Sequence, residues 1–206
     1  GNLWVSTFYN GLNKLNLDGS FTHFSHNGND ETAGPSNNSI LHMLEDEEGI
    51  IWLASYGGGL NRFDPKTERF MHILNNSEIA DSISSDLTWY LFIDKKKDMW
   101  IATQAAGLNV LKYEDHLAKT FKFQHIDTQQ GLKTHTVYGI EQDNHENMWF
   151  SSNQGVTLYM PSSEAFKHFD LSHGLVDLDF NHSAIMKGTN GELFFGSGKG
   201  ISHVDP

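Results

Sequence analysis

Histidine is the side chain in this sequence best suited to act as a metal ligand or a general base, and it occurs twelve times in 206 residues. The twelve are scattered, and none forms an HExxH or His-x-His cluster with a carboxylate at ligand spacing. The acidic turn that begins at Asp46 lacks the Asp-x-Asp-x-Asp-Gly spacing of a calcium loop. We therefore expect structural or surface histidines, with no resident metal ion and no other cofactor.

Signatures of catalysis are missing from the sequence as well. It contains no Gly-x-Ser-x-Gly elbow, and the sequence spacing of its Ser, His and Asp residues does not identify a catalytic triad. Lys199 lies between Gly198 and Gly200, but no Ser or Thr follows it to begin a helix, as a phosphate loop requires. No residue is predicted to be catalytic, and we expect a binding or sensing module rather than an enzyme.

Charge and hydropathy exclude two further classes of partner. The formal net charge is −12, from 14 basic and 26 acidic residues. Nucleic-acid binding requires clustered Lys and Arg, so no nucleic-acid partner is expected. No apolar run is long enough to span a bilayer, so we expect no membrane contact within this chain. The absence of cysteine excludes disulfides and thiolate metal sites.

An internal repeat is the strongest pattern in the sequence. An aromatic residue recurs at intervals of 48, 48, 49 and 45 residues, and a glycine followed by an aliphatic residue comes six or seven positions after each one. We call these aromatics the anchors: Trp4, Trp52, Trp100, Trp149 and Phe194. The repeat glycines are Gly11, Gly59, Gly107, Gly155 and Gly200.

The pattern within each repeat predicts four short strands separated by turns, which is typical of a β-propeller blade. Helical repeats of similar period are rejected, because these segments are five or six residues long and rich in β-branched and aromatic side chains. An anchor ring large enough to fill the space between adjacent blades is worth roughly 3–5 kcal/mol. We predict an all-β, partial β-propeller of about four and a quarter blades, a fragment of a larger propeller that self-associates as a homodimer. The predicted segments are a partial blade at 1–27, blades at 36–76, 83–126 and 134–171, and a partial last blade at 180–206.

The segment from Glu45 to Pro65 resembles the two-component-regulator propeller repeat, with the pattern Asp-x-x-Gly-x-x-Trp-x-x-Ser-x-x-x-Gly-Leu-x-x-Phe. The stretch from Asn181 to Gly196 looks like the last blade before an immunoglobulin-like linker in such sensors. The resemblance implies a periplasmic sensor domain that feeds a transmembrane helix of the full-length protein. A histidine kinase, hybrid kinase or diguanylate cyclase would then be the output, and oligosaccharides from polysaccharide breakdown would be ligands.

Ligand contacts are expected on the loops that join second to third strands and on those that join blades. Aromatic and amide side chains suit sugar rings, which offer an apolar face and hydroxyls. Two alternatives remain open: a propeller-fold polysaccharide lyase or glycosidase, and a pure dimerisation scaffold. The candidate ligand-binding residues are Tyr9, Tyr56, Trp89, Gln104, His135, Gln154, Asn181, His182 and Lys199.

Overall fold

A computed structural model describes residues 2–206 of the chain. It consists of two compact units, one ending at Leu91 and the other beginning at Phe92. Almost every regular element is an antiparallel β-strand, and strands that follow each other in sequence are neighbours in their sheet. The all-β prediction is confirmed.

The first unit contains two sheets. A three-stranded sheet has the order β1-β2-β3, and a four-stranded sheet has the order β4-β5-β6-β7. Glycine- and asparagine-rich turns separate short runs of alternating apolar residues, which is why the chain folds back after each strand. The strands are β1 (Leu3–Ser6), β2 (Leu12–Leu15), β3 (Phe21–Phe24), β4 (Ile40–Glu45), β5 (Ile51–Ser55), β6 (Gly59–Asp64) and β7 (Arg69–Ile73).

The remaining three sheets repeat this arrangement. Two have four strands, in the orders β8-β9-β10-β11 and β12-β13-β14-β15, and the last has three, β16-β17-β18. The boundary between the units falls within β8. The strands are β8 (Thr88–Ile93), β9 (Met99–Thr103), β10 (Leu108–Leu111), β11 (Phe123–Ile126), β12 (Val137–Gln142), β13 (Met148–Ser152), β14 (Gly155–Met160), β15 (Ala165–Phe169), β16 (Phe180–Lys187), β17 (Leu193–Ser197) and β18 (Gly200–Val204).

Two short helical segments interrupt the strand pattern. Helix α1 (Tyr113–Ala118) lies between β10 and β11, and its C-cap residue is Lys119, which has a φ of +55°. A 3-10 turn (Leu171–His173) follows β15. Among residues 2–206 no helix has the length and apolar character that a membrane span requires.

Each complete sheet carries the same turn before its anchor. One carboxylate oxygen of an aspartate accepts backbone N–H groups two and four residues further on, and the other accepts the indole N–H of the anchor tryptophan. This arrangement satisfies the one polar atom of a large buried ring, and so allows the ring to be buried at low cost. The Oδ2–Nε1 distances are 2.7 Å for Asp46 and Trp52, 2.8 Å for Asp94 and Trp100, and 2.9 Å for Asp143 and Trp149.

Burial of the anchors differs between complete and incomplete sheets. Trp52, Trp100 and Trp149 are 0%, 5% and 3% exposed. Trp4 and Phe194, which belong to the two three-stranded sheets, are only half-buried. The anchor ring is therefore part of the core in every four-stranded sheet.

Candidate functional site

Backbone hydrogen bonds join the loop that follows each anchor strand to the segment that enters the next sheet. In every case the N–H of a repeat glycine donates to a carbonyl oxygen of that segment, so the two kinds of loop lie side by side. This arrangement places the predicted ligand-binding loops next to each other within each unit. The bonds are Gly11 to Asn38 at 3.0 Å, Gly59 to Asp86 at 2.9 Å, Gly107 to His135 at 2.7 Å and Gly155 to Leu178 at 2.8 Å.

The repeat glycines are required by this geometry. All five have positive φ, from +60° at Gly59 to +141° at Gly200. A Cβ at Gly59 would collide with the carbonyl oxygen of Ile73, and a Cβ at Gly155 would collide with that of Phe169. Both carbonyls belong to the fourth strand of the same sheet, so a side chain here would push the outer strand away.

Three exposed aromatic rings meet on the loop side of the first unit. Phe8 and Tyr9 belong to the β1–β2 loop, and Tyr56 begins the β5–β6 loop. The Phe8 ring lies 4.8 Å from that of Tyr9, edge-on, and 6.2 Å from that of Tyr56. Their side chains are 43%, 76% and 41% exposed. We call Phe8, Tyr9 and Tyr56 the aromatic cluster.

Backbone hydrogen bonds fix the segments that flank the aromatic cluster. The N–H of Ile40 donates to the carbonyl of Thr7 at 3.0 Å, and the N–H of Tyr56 donates to that of Ser39 at 2.8 Å. The exposed Asn10 lies next to Tyr9, and its N–H donates to the Thr7 hydroxyl. The rings are therefore presented on an ordered backbone, so little loop ordering remains for a ligand to induce.

In the second unit a bulged strand brings together a second group of polar and aromatic side chains. The centroid of the His182 ring lies 4.5 Å from that of Tyr138, and the two rings are tilted by 38°. Burial raises the pKa of Tyr138, and the charge of Asp179 and a hydrogen bond to it add to that effect. Burial lowers the pKa of His182, although the Asp179 charge opposes this shift. Asn181 and His182, both predicted ligand contacts, are exposed here.

The remaining predicted contacts are placed as follows. Gln104, Gln154 and Lys199 lie in the loops after second strands, and the Lys199 ammonium pairs with Asp177 at 3.0 Å. His135 is exposed, and its Nε2 lies 3.1 Å from the hydroxyl of Thr128.

Trp89 is a correction to the expected loop placement. The residue lies within β8 and its side chain is 7% exposed, so the ring packs in the interior. It stands eleven residues before its anchor, as do Leu41 and Tyr138, each of which occupies the bulge of its own strand.

A partly buried histidine in the first unit packs between strands. The ring of His42, on β4, packs against that of Tyr90 at 4.1 Å with a tilt of 35°, and its Nδ1 accepts the N–H of Leu91 at 3.4 Å. Burial lowers the pKa of His42 to about 4, because the charged imidazolium is poorly solvated there. This histidine is neutral near pH 7 and belongs to the packing between strands.

Comparison with known proteins shows what this architecture is similar to. The family described as "Two component regulator propeller" matches residues 34–57. Histidine kinase P4 of Formosa agariphila is 25% identical over 249 residues, an alignment that covers 99% of this chain and 18% of that protein. The chain thus spans about a fifth of that relative.

Solved structures show the same fold. The extracellular domain of BT4673 from B. thetaiotaomicron, described as a hybrid two component system, is 24% identical with a TM-score of 0.82, and the match covers 100% of this chain and 28% of that chain. A virginiamycin B lyase from Staphylococcus aureus is 13% identical with a TM-score of 0.66, over 98% of this chain and 66% of that one.

The architecture is therefore that of a β-propeller, represented here by part of its blades, as predicted. Within that class, the chain carries the two-component-regulator propeller repeat, which confirms the resemblance seen in the sequence.

Proposed function

We propose that this chain is part of the periplasmic, ligand-sensing region of a two-component-type receptor whose histidine-kinase output lies outside the chain. The repeat match at residues 34–57 and the similarity to a histidine kinase support this proposal. The solved relative described as a hybrid two component system is an extracellular domain, which supports a location outside the cytoplasm. The full-length protein would span the membrane, and self-association of the sensor regions would transmit the signal.

The aromatic cluster carries the ligand-binding part of the proposal. The three rings touch one another and are 41–76% exposed, and contiguous exposed patches of this kind mark interaction or ligand-binding sites. A pyranose ring presents an apolar face of C–H groups that fits an aromatic ring, and its hydroxyls fit phenol and amide groups. Tyr9 and Tyr56 supply two hydroxyls, and Asn10 supplies an amide beside them. The ligand class is therefore a neutral oligosaccharide.

Calorimetric titration of the 206-residue chain tests this proposal, with cellohexaose, xylohexaose, mannohexaose and laminarihexaose as probes. We expect at least one to bind, and at 100 times its Kd to stabilise the fold by about 2.7 kcal/mol in thermal denaturation. Tyr9→Ala and Tyr56→Ala should each weaken binding by about tenfold, equivalent to about 1.4 kcal/mol.

A matched control comes from the same unit. Phe21 is 46% exposed, close to the 43% of Phe8, but it lies on β3 outside the aromatic cluster. Phe8→Ala should weaken glycan binding, whereas Phe21→Ala should leave it unchanged. If no probe binds, or if all these variants bind equally well, the proposal is wrong.

The same samples separate the two alternatives. New reducing ends or unsaturated products during incubation would indicate a glycosidase or a lyase. A chain that dimerises in analytical ultracentrifugation but binds none of the four probes would favour a scaffold. Either result would overturn the sensing function.

A further inference from the structure

The first strand of the last sheet contains a much larger bulge than its counterparts. In β4 and β12 one extra residue interrupts the register, at Leu41 and Tyr138. In β16 four residues, Asn181–Ala184, separate two paired positions that a single residue, Gly196, separates on β17. The last sheet therefore carries three additional residues at this point, and we call Asn181–Ala184 the β16 bulge.

The backbone of the β16 bulge is held in a strained conformation. Ser183 has a φ of +56°, in the left-handed region that costs a non-glycine residue roughly 1 kcal/mol or more. The Cβ of Ala184 packs over Gly196, where an added side chain would be in tight contact. Bulges of this kind re-aim side chains and are over-represented beside binding sites.

The side chains that the β16 bulge exposes are suited to hydrogen bonding. Asn181, His182 and Ser183 are all exposed, while Phe180 before them and Ile185 after them are buried. Within residues 2–206 the amide of Asn181 and the hydroxyl of Ser183 have no hydrogen-bonding partner in the protein. The exposed His182 ring packs against that of Tyr138 with a tilt of 38°, and the exposed Asp179 provides a charged acceptor beside the two rings.

We infer that the β16 bulge, with Tyr138 and Asp179, is a second glycan-binding site, distinct from the aromatic cluster. The inference rests on the proposed sensing function, because it adds a contact for the same class of ligand. An exposed aromatic ring, an amide, a hydroxyl and a carboxylate match a sugar ring and its hydroxyls. The carboxylate disfavours an anionic ligand here, so the ligand is a neutral, hydroxylated one.

Titration of the same four hexasaccharides against three variants of the 206-residue chain tests this inference. His182→Ala and Asn181→Ala should each weaken binding of a hexasaccharide by about fivefold. His203→Ala is the matched control, because His203 is also an exposed histidine on the last sheet and stacks on Phe194 at 5.0 Å. It should bind like the unmodified chain.

Histidine side-chain NMR provides a second readout that does not depend on a variant. Saturation with the hexasaccharide should shift the His182 ring signals and leave those of His203 in place. If a probe binds and loses affinity in Tyr9→Ala, but His182→Ala, Asn181→Ala and the His182 signals are all unaffected, this inference alone is overturned. If no probe binds the unmodified chain, the proposed function and this inference both fail.

Discussion

Protonation of His42 should destabilise the first unit as the solution is acidified. Its folded-state pKa of about 4 lies below the ordinary value of 6.5, so folding favours the neutral ring. The stabilisation is complete above pH 6.5 and is lost as the pH falls from there towards 4. For these two pKa values the linkage relation gives a loss of up to about 2 kcal/mol between pH 7.5 and pH 5. The cause is structural: an imidazolium beside Tyr90 is poorly solvated, and it can no longer accept the Leu91 N–H.

Urea denaturation followed by tryptophan fluorescence at pH 7.5 and pH 5 measures this loss, with His42→Gln as the test variant. Glutamine keeps an acceptor for the Leu91 N–H but does not titrate, so the stability difference between the two pH values should shrink by up to about 2 kcal/mol. His26→Gln, which replaces an exposed histidine in the same unit, serves as the matched control. Equal pH dependence in His42→Gln and the unmodified chain would refute the reasoning.

Three further substitutions test the repeat and the bulge. Asp143→Asn should lower the free energy of unfolding by about 1.5–3 kcal/mol in urea titrations, because the carboxylate accepts the Trp149 indole and three other N–H groups. Gly155→Ala should cost at least about 2 kcal/mol in the same assay, since its Cβ would meet the Phe169 carbonyl at a φ of +104°. Ser183→Gly should change stability by less than about 0.5 kcal/mol, because relief of backbone strain offsets the added entropy of the unfolded chain, and a large loss would contradict the strain assignment.

The blade pattern could be predicted because each sheet repeats the same local chemistry. Asp143 and Trp149 are six residues apart, as are Asp46 and Trp52, and this spacing lets one side chain close the turn and hold the ring. Such short-range coupling is visible in a single sequence. Helix α1 could not be predicted in this way, since none of its six residues is buried and it therefore has no apolar face.

The candidate site was only partly predictable. Tyr56 lies four residues after its anchor, and the same offset in the first sheet is Phe8, so the repeat contained the signal for this ring. Tyr9 is one position out of that register, and its contact with Phe8 arises from the loop conformation. The strain at Ser183 comes from its positive φ, which a serine in a sequence does not predict. The candidate list nevertheless contains Tyr9 and lacks Phe8, so the residue types near the loops could be recognised in the sequence, whereas the loop geometry that brings the rings together could not.

In the second unit, the exposure of each anchor depends on whether the sheet that follows it in sequence packs against its ring. Within the second unit the Trp100 ring lies 5.9 Å from Phe150 on the following sheet, and the Trp149 ring lies 6.4 Å from Phe195, again on the following sheet. Phe194 occupies the same register position on its own strand, but no later sheet exists among residues 2–206 to cover it. In the second unit a buried anchor is thus one that the following sheet covers, whereas Trp4 in the first unit stays half-buried although Phe63 of the following sheet lies 5.1 Å from its ring. The half-exposed ring of Phe194 and the exposed Ile201 line the same shallow depression on the surface of this sheet.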